Sequence, residues 1–172
     1  MAAIAVSADG RLSFRGRRYR CALGRNGIVR EKHEGDGATP AGRWPLRRLY
    51  YRSDRLARPE SRLPTAALRP DDGWCDAPGD PAYNTAVRLP YPASAEALWL
   101  ADGLYDLIAV VGYNDAPVMP GRGSAIFLHV ARSDYGPTEG CVALALGDLF
   151  EVLAAADAAT ELRIAPLQPA GG

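Results

Sequence analysis

Histidine and cysteine are scarce in this chain, and their scarcity removes whole classes of function. The two histidines, His33 and His129, and the three cysteines, Cys21, Cys75 and Cys141, stand far apart. There is no CxxC pair, Cys/His cluster or HExxH run, so the ligand spacings of a zinc site are missing. No metal or other cofactor is expected. The odd number of cysteines leaves at least one thiol free. Long apolar runs are also lacking, and no window approaches the length of a membrane span. The first twenty residues have no basic segment followed by the apolar stretch of a secretory signal.

What is present suits one compact domain. The 172 residues are 48% hydrophobic, enough for a core of its own. Eighteen glycines and fourteen prolines spread along the length imply many turns and short elements. We place a single domain over 1–166 and a short tail over 167–172. A net charge of zero hides an asymmetry. Residues 1–70 carry fifteen arginines and one lysine against six acids, and residues 71–172 carry four arginines against fourteen acids. The simplest outcome is that the halves fold together and neutralise each other. The arginines come singly among turn residues, without the aromatic interleaving or helical stripe of a nucleic-acid binder. No nucleic-acid partner is expected.

The order of elements reads as mainly β. IAV, the Asp9-Gly10 turn, RLSF, the Gly16 break and RRYRCAL make a hairpin and its continuation. EGDGATPAGRWPL is dense in Gly, Asp and Pro and reads as an ordered loop, with WPLRRLYYR after it as a strand. Residues 53–95 are the least regular, and Cys75 is placed in a polar loop there. LYDLIAVVGYN is apolar enough for a central strand. SAIFLHVAR alternates, with Ile126, Leu128 and Val130 on one face and Phe127, His129 and Ala131 on the other. LGDLFEVLAAAD is the one main helix, with Leu146, Leu149, Phe150 and Leu153 as its apolar stripe and Asp148 as its cap.

Between that last strand and the helix lies PTEGCVAL. A cysteine there stands at the edge of a sheet, within reach of a substrate, and a connection of twelve residues can return it to His129. An imidazolium beside a thiol lowers its pKa and makes a nucleophile. Backbone amides at Gly140 and Cys141 can face a tetrahedral oxyanion. The plainer alternative is that Cys141 fills the core and His129 makes a structural hydrogen bond.

The pairing of FLHVA with TEGCVAL resembles the L,D-transpeptidase catalytic domain of the YkuD type, with GATPAGRW similar to its Thr-Pro-x-Gly segment. The resemblance covers roughly residues 20–155. It implies a β-sandwich of mixed sheets with one helix after the cysteine. It implies Cys141 as nucleophile, His129 as general base and acid, and Gly140 as a backbone oxyanion donor. Tyr113, Asn114 and Thr138 are the candidate substrate contacts. A backbone carbonyl or a small polar group would orient the imidazole, with Ser133 and Asp134 as candidates. Peptidoglycan stem peptides are the implied substrate, carbapenem β-lactams the implied covalent inhibitors, and periplasm or cell wall the implied location. Two positions depart from the family pattern: Glu139 replaces its histidine, and Ala143 replaces the polar residue two after the cysteine. Glu139 is expected to point away from the thiol, towards Arg43 or Arg122, because a carboxylate beside it would oppose ionisation. The rival readings are a hydrolase using the same pair and a non-catalytic peptidoglycan-binding module.

Overall fold

The computed structural model describes residues 2–166; the expected tail at 167–172 lies outside the described residues. The chain opens with β1 (Ala3–Ser7), β2 (Arg11–Phe14) and β3 (Arg17–Arg20), then two short strands, β4 (Ile28–Val29) and β5 (Thr39–Pro40), and the long β6 (Gly42–Tyr51). It continues through β7 (Thr65–Ala67), β8 (Asp72–Cys75), β9 (Ala86–Arg88), β10 (Ala95–Ala97) and β11 (Leu107–Val111). It closes with β12 (Phe127–Val130), β13 (Val142–Leu144), the helix α1 (Leu146–Ala155) and β14 (Glu161–Ala165). The fold is mainly β with mixed sheets and one helix, as expected.

The principal sheet runs β13-β12-β11-β6-β14-β1-β2-β3, with β7 beside β6. β11 is central and buried at every residue, which is why IAVV carries no polar alternation. The pairs β12–β13, β1–β14 and β6–β7 are parallel and the other pairs of this sheet antiparallel. Alternation sorts the side chains into two cores. Leu107, Ala109, Ile126, Leu128, Val142 and Leu144 join the larger one, into which α1 turns Leu149, Val152 and Leu153. Ile108, Val110, Phe127 and Cys141 join the other, with Trp74, Leu98 and Tyr105. Trp74 comes from the small sheet β10-β8-β9 and meets the Phe127 ring edge-on at 5.2 Å.

Two local expectations are corrected. Asp72–Cys75 is a strand, and Cys75 is fully buried in it, because Gly73 and Trp74 pair with both β9 and β10. Asp148 is not the helix cap: the cap position is Ala145, without a side-chain bond, and Asp148 sits in the first turn. There its charge favours the positive end of the helix dipole. Trp74 and Tyr83 belong to the interior, with Trp74 Nε1 donating to Asn84 and the Tyr83 hydroxyl accepting the Gly123 amide.

Candidate active site

β12 and β13 run parallel with Leu128 opposite Val142 and His129 opposite Ala143. Cys141, two residues before Ala143, therefore lies on the His129 face of the sheet, away from the helix. Both line a cavity of about 540 Å³, together with Lys32, Glu96, Tyr105 and Thr138. This is the size range of small-molecule and peptide pockets.

The thiol is held by the chain just before β12. Its Sγ donates to the Ala125 carbonyl at 3.2 Å and accepts the Phe127 amide at 3.4 Å. His129 Nδ1 lies 2.9 Å from the Val130 carbonyl. A carbonyl only accepts, so Nδ1 carries the proton and Nε2 is left as the basic nitrogen. The orienting group is thus the backbone of Val130; Asp134 instead accepts the Gly136 amide. Tyr105 packs edge-on against the imidazole at 5.2 Å. The two side chains share the cavity, but each directs its hydrogen bonds to backbone.

Both groups are shifted towards their neutral forms. Burial, then the Glu96 carboxylate, pushes the Cys141 thiol up to about 12, against smaller opposing effects of the Phe127 amide and Lys32. Burial lowers His129, although the Val130 carbonyl favours its protonated form. Both shifts favour a neutral thiol and a neutral imidazole over a thiolate and an imidazolium. Burial also raises Glu96, whose carboxylate accepts the Tyr105 hydroxyl.

The loop before Cys141 is shaped by Thr138 and Gly140. Thr138 Oγ1 donates to the Cys141 carbonyl at 2.7 Å and accepts the Gly140 amide at 3.1 Å. Gly140 stands at φ +140, and a Cβ there would lie 2.7 Å from the Ala38 carbonyl oxygen. Only glycine fits such a position. Thr138 lines the cavity, but its hydroxyl is engaged with the loop. Tyr113 and Asn114 are not brought to Cys141. Tyr113 packs on Trp44 and donates to the Arg122 carbonyl, and Asn114 closes a turn through Met119 and Gly123.

Glu139 points outward, with its side chain 80% exposed and paired to Arg25. The partner is neither Arg43 nor Arg122, because Leu23–Arg25 is the segment that meets the loop before Cys141: Arg25 N donates to the Thr138 carbonyl and Thr138 N to Leu23. His33 is exposed. The Thr-Pro-x-Gly segment shapes a loop: Thr39 Oγ1 accepts the Gly24 amide, and Gly42 leaves room for the Trp44 ring. Among the described residues no group of His, Cys, Asp and Glu is placed to hold a metal ion, and no helix is long and apolar enough to cross a membrane.

A mixed-sheet β domain that opens one cysteine and one histidine into a common cavity is the class these features define. The chain belongs to the L,D-transpeptidase catalytic domain (YkuD) family, whose model matches residues 4–164. Two solved structures of the helical cell shape determining protein Pgp2 from Campylobacter jejuni, one of them a mutant, are similar over 98% of this chain. Their TM-scores are 0.48 and 0.45, with 14% and 16% identity. The chain spans 48% of their length. No curated protein sequence matches it.

Proposed function

We propose that this domain is a cysteine acyltransferase of the L,D-transpeptidase type acting on peptidoglycan stem peptides, and so works in the periplasm or cell wall. The observation that carries the reading is the Cys141 thiol and the His129 imidazole on one sheet face, opening into one cavity. His129 Nε2 takes the thiol proton as Sγ attacks the carbonyl carbon after an L-centre. Because both groups start neutral, proton transfer accompanies attack rather than preceding it. The tetrahedral oxyanion collapses, the C–N bond breaks, and the imidazolium returns the proton to the leaving amine. A thioester remains on Cys141. His129 then deprotonates the incoming amine, a new amide forms, and the thiol is released. Gly140 is proposed as an oxyanion donor; its amide would have to leave Thr138 Oγ1 to serve.

The test is intact-protein mass after incubation with a carbapenem, whose strained ring offers an acyl group to the thiol. We expect one adduct on the wild type and none on Cys141→Ala. A folded wild-type protein that gains no mass would overturn the nucleophile assignment and favour a binding module. Product analysis with a tetrapeptide, with and without an amine acceptor, separates transfer from hydrolysis.

A further inference from the structure

Lys32 is the single lysine of the chain, and its side chain is only 3% exposed. Two glycines make its passage into the cavity. A Cβ on Gly123 would meet Lys32 Cε at 2.8 Å, and a Cβ on Gly140 would stand 3.4 Å from Nζ. Both glycines have positive φ, +115 and +140, so a side chain at either is excluded by conformation as well as by space. Since Gly140 directly precedes Cys141, the ammonium rests beside the nucleophile's own backbone.

Its position is fixed. Nζ donates to Asp36 Oδ1 at 2.7 Å, and Asp36 in turn accepts the amides of His33 and Ala38 at 2.8 and 2.9 Å. Burial would raise the Asp36 carboxyl, but these amides and the ammonium together hold it below the ordinary carboxylate range. An ammonium has three donors, and Asp36 takes one of them. A cation withdrawn this far from water is costly unless its remaining donors find acceptors. Lys32 lines the cavity, so an occupant can supply them.

The other charged groups of the cavity are mostly acids. Glu34 accepts the Ser124 hydroxyl and Glu96 accepts that of Tyr105. Asp76, Asp102 and the Arg25-paired Glu139 also line it, and Arg132 there is exposed. Ala143, two residues after the nucleophile, brings no donor. An anionic oxygen near Cys141 therefore has one buried cation to meet.

We propose that Lys32 is the anion-recognising group of this cavity and holds a negatively charged substrate oxygen next to Cys141. That oxygen belongs either to the free carboxylate of the peptide's terminal residue or to the oxyanion formed on attack. The proposal rests on Cys141 as the nucleophile. It makes the loop from Lys32 to Asp36 part of the substrate site and not merely a connection.

The experiment compares alkylation of Cys141 by iodoacetate and by iodoacetamide, mapped to its own peptide, in the wild type and in Lys32→Met. The two reagents differ by one carboxylate, and Met nearly matches the length of the lysine without its charge. Both rates are read on protein shown to be folded by circular dichroism, because an unfolded chain would give the ratio of a free thiol. We expect the iodoacetate-to-iodoacetamide ratio to fall at least about tenfold in Lys32→Met. An unchanged ratio overturns the proposal. No labelling of Cys141 in the folded wild type by either reagent overturns the nucleophile reading, and the proposal with it. Tetrapeptide donors ending in a carboxylate or a carboxamide then identify the oxygen. Selective loss on the acid, seen in KM, assigns the terminal carboxylate; an equal loss of kcat on both assigns the oxyanion. Activity unchanged on both peptides overturns the proposal.

Discussion

Asn84 Oδ1 accepts the Ala125 amide at 3.1 Å, and the carbonyl of the same Ala125 accepts the Cys141 thiol at 3.2 Å. Ala125 stands at φ +53, a conformation that costs an L-residue with a Cβ roughly 1–2 kcal/mol. Asn84 holds it there. Its Oδ1 also accepts Trp74 Nε1, and its Nδ2 donates to the carbonyls of Tyr113 and Asn114. The side chain thus makes all four bonds open to an amide. Asn84→Ala leaves those buried partners unpaired, and we expect a loss of about 2–4 kcal/mol in urea denaturation. A loss below about 1 kcal/mol would show that the Ala125 turn is held by other contacts.

A neutral thiol at rest has a kinetic signature. With Cys141 pushed up to about 12 by burial and Glu96, its thiolate fraction rises about tenfold per pH unit from about pH 7 to about pH 10. Alkylation by iodoacetamide should climb through that range without a plateau. His129→Gln should leave this profile in place while lowering turnover by about 10²–10⁴. A plateau near neutrality that disappears in His129→Gln would instead show a preformed thiolate–imidazolium pair.

Two glutamates near the cysteine are expected to behave differently. Glu96 faces the cavity and raises the thiol, whereas Glu139 turns to Arg25 in solvent. Glu96→Gln should speed alkylation of Cys141 at pH values where Glu96 is ionised. Glu139→Gln should change the rate by less than about twofold, as an exposed, screened charge does. If Glu139→Gln gave the larger acceleration, the outward orientation would be wrong.

The two faces of β12 were legible in the sequence because a strand's alternation sorts side chains without help from the rest of the chain. SAIFLHVAR placed His129 and Phe127 on one face, and parallel pairing with Val142–Leu144 put Cys141 beside them. Lys32 and Asn84 were not legible, because their importance comes from where other segments pass. A lysine in a polar loop reads as solvated until Gly123 and Gly140, about ninety residues or more downstream, are seen to open a channel around it. Asn84 sits in a run of turn residues and gains its role only against Ala125 and Trp74. Tyr113 and Asn114 show the converse: the end of β11 looks like a cleft wall in one dimension, but neither lines the cavity of Cys141 and His129, and the Asn114 side chain is taken up by a turn through Met119 and Gly123.

Desolvation of His129 also makes stability depend on acid. Burial lowers its folded value below the unfolded 6.5, so the folded chain binds fewer protons than the unfolded one as pH falls. The sign is then fixed: stability is full above 6.5 and is lost as pH drops towards the folded value, at up to about 1.4 kcal/mol per pH unit from this group. His129→Gln removes that dependence. We expect the variant, whatever its stability near neutrality, to lose less on acidification than the wild type, read as unfolding free energy against pH. Equal slopes would mean that the imidazole protonates as readily folded as unfolded and is open to water. The same desolvation favours an unprotonated Nε2 at neutral pH, the form that the proposed mechanism needs to accept the proton of Cys141, so one buried ring underlies both the acid slope and the proposed base.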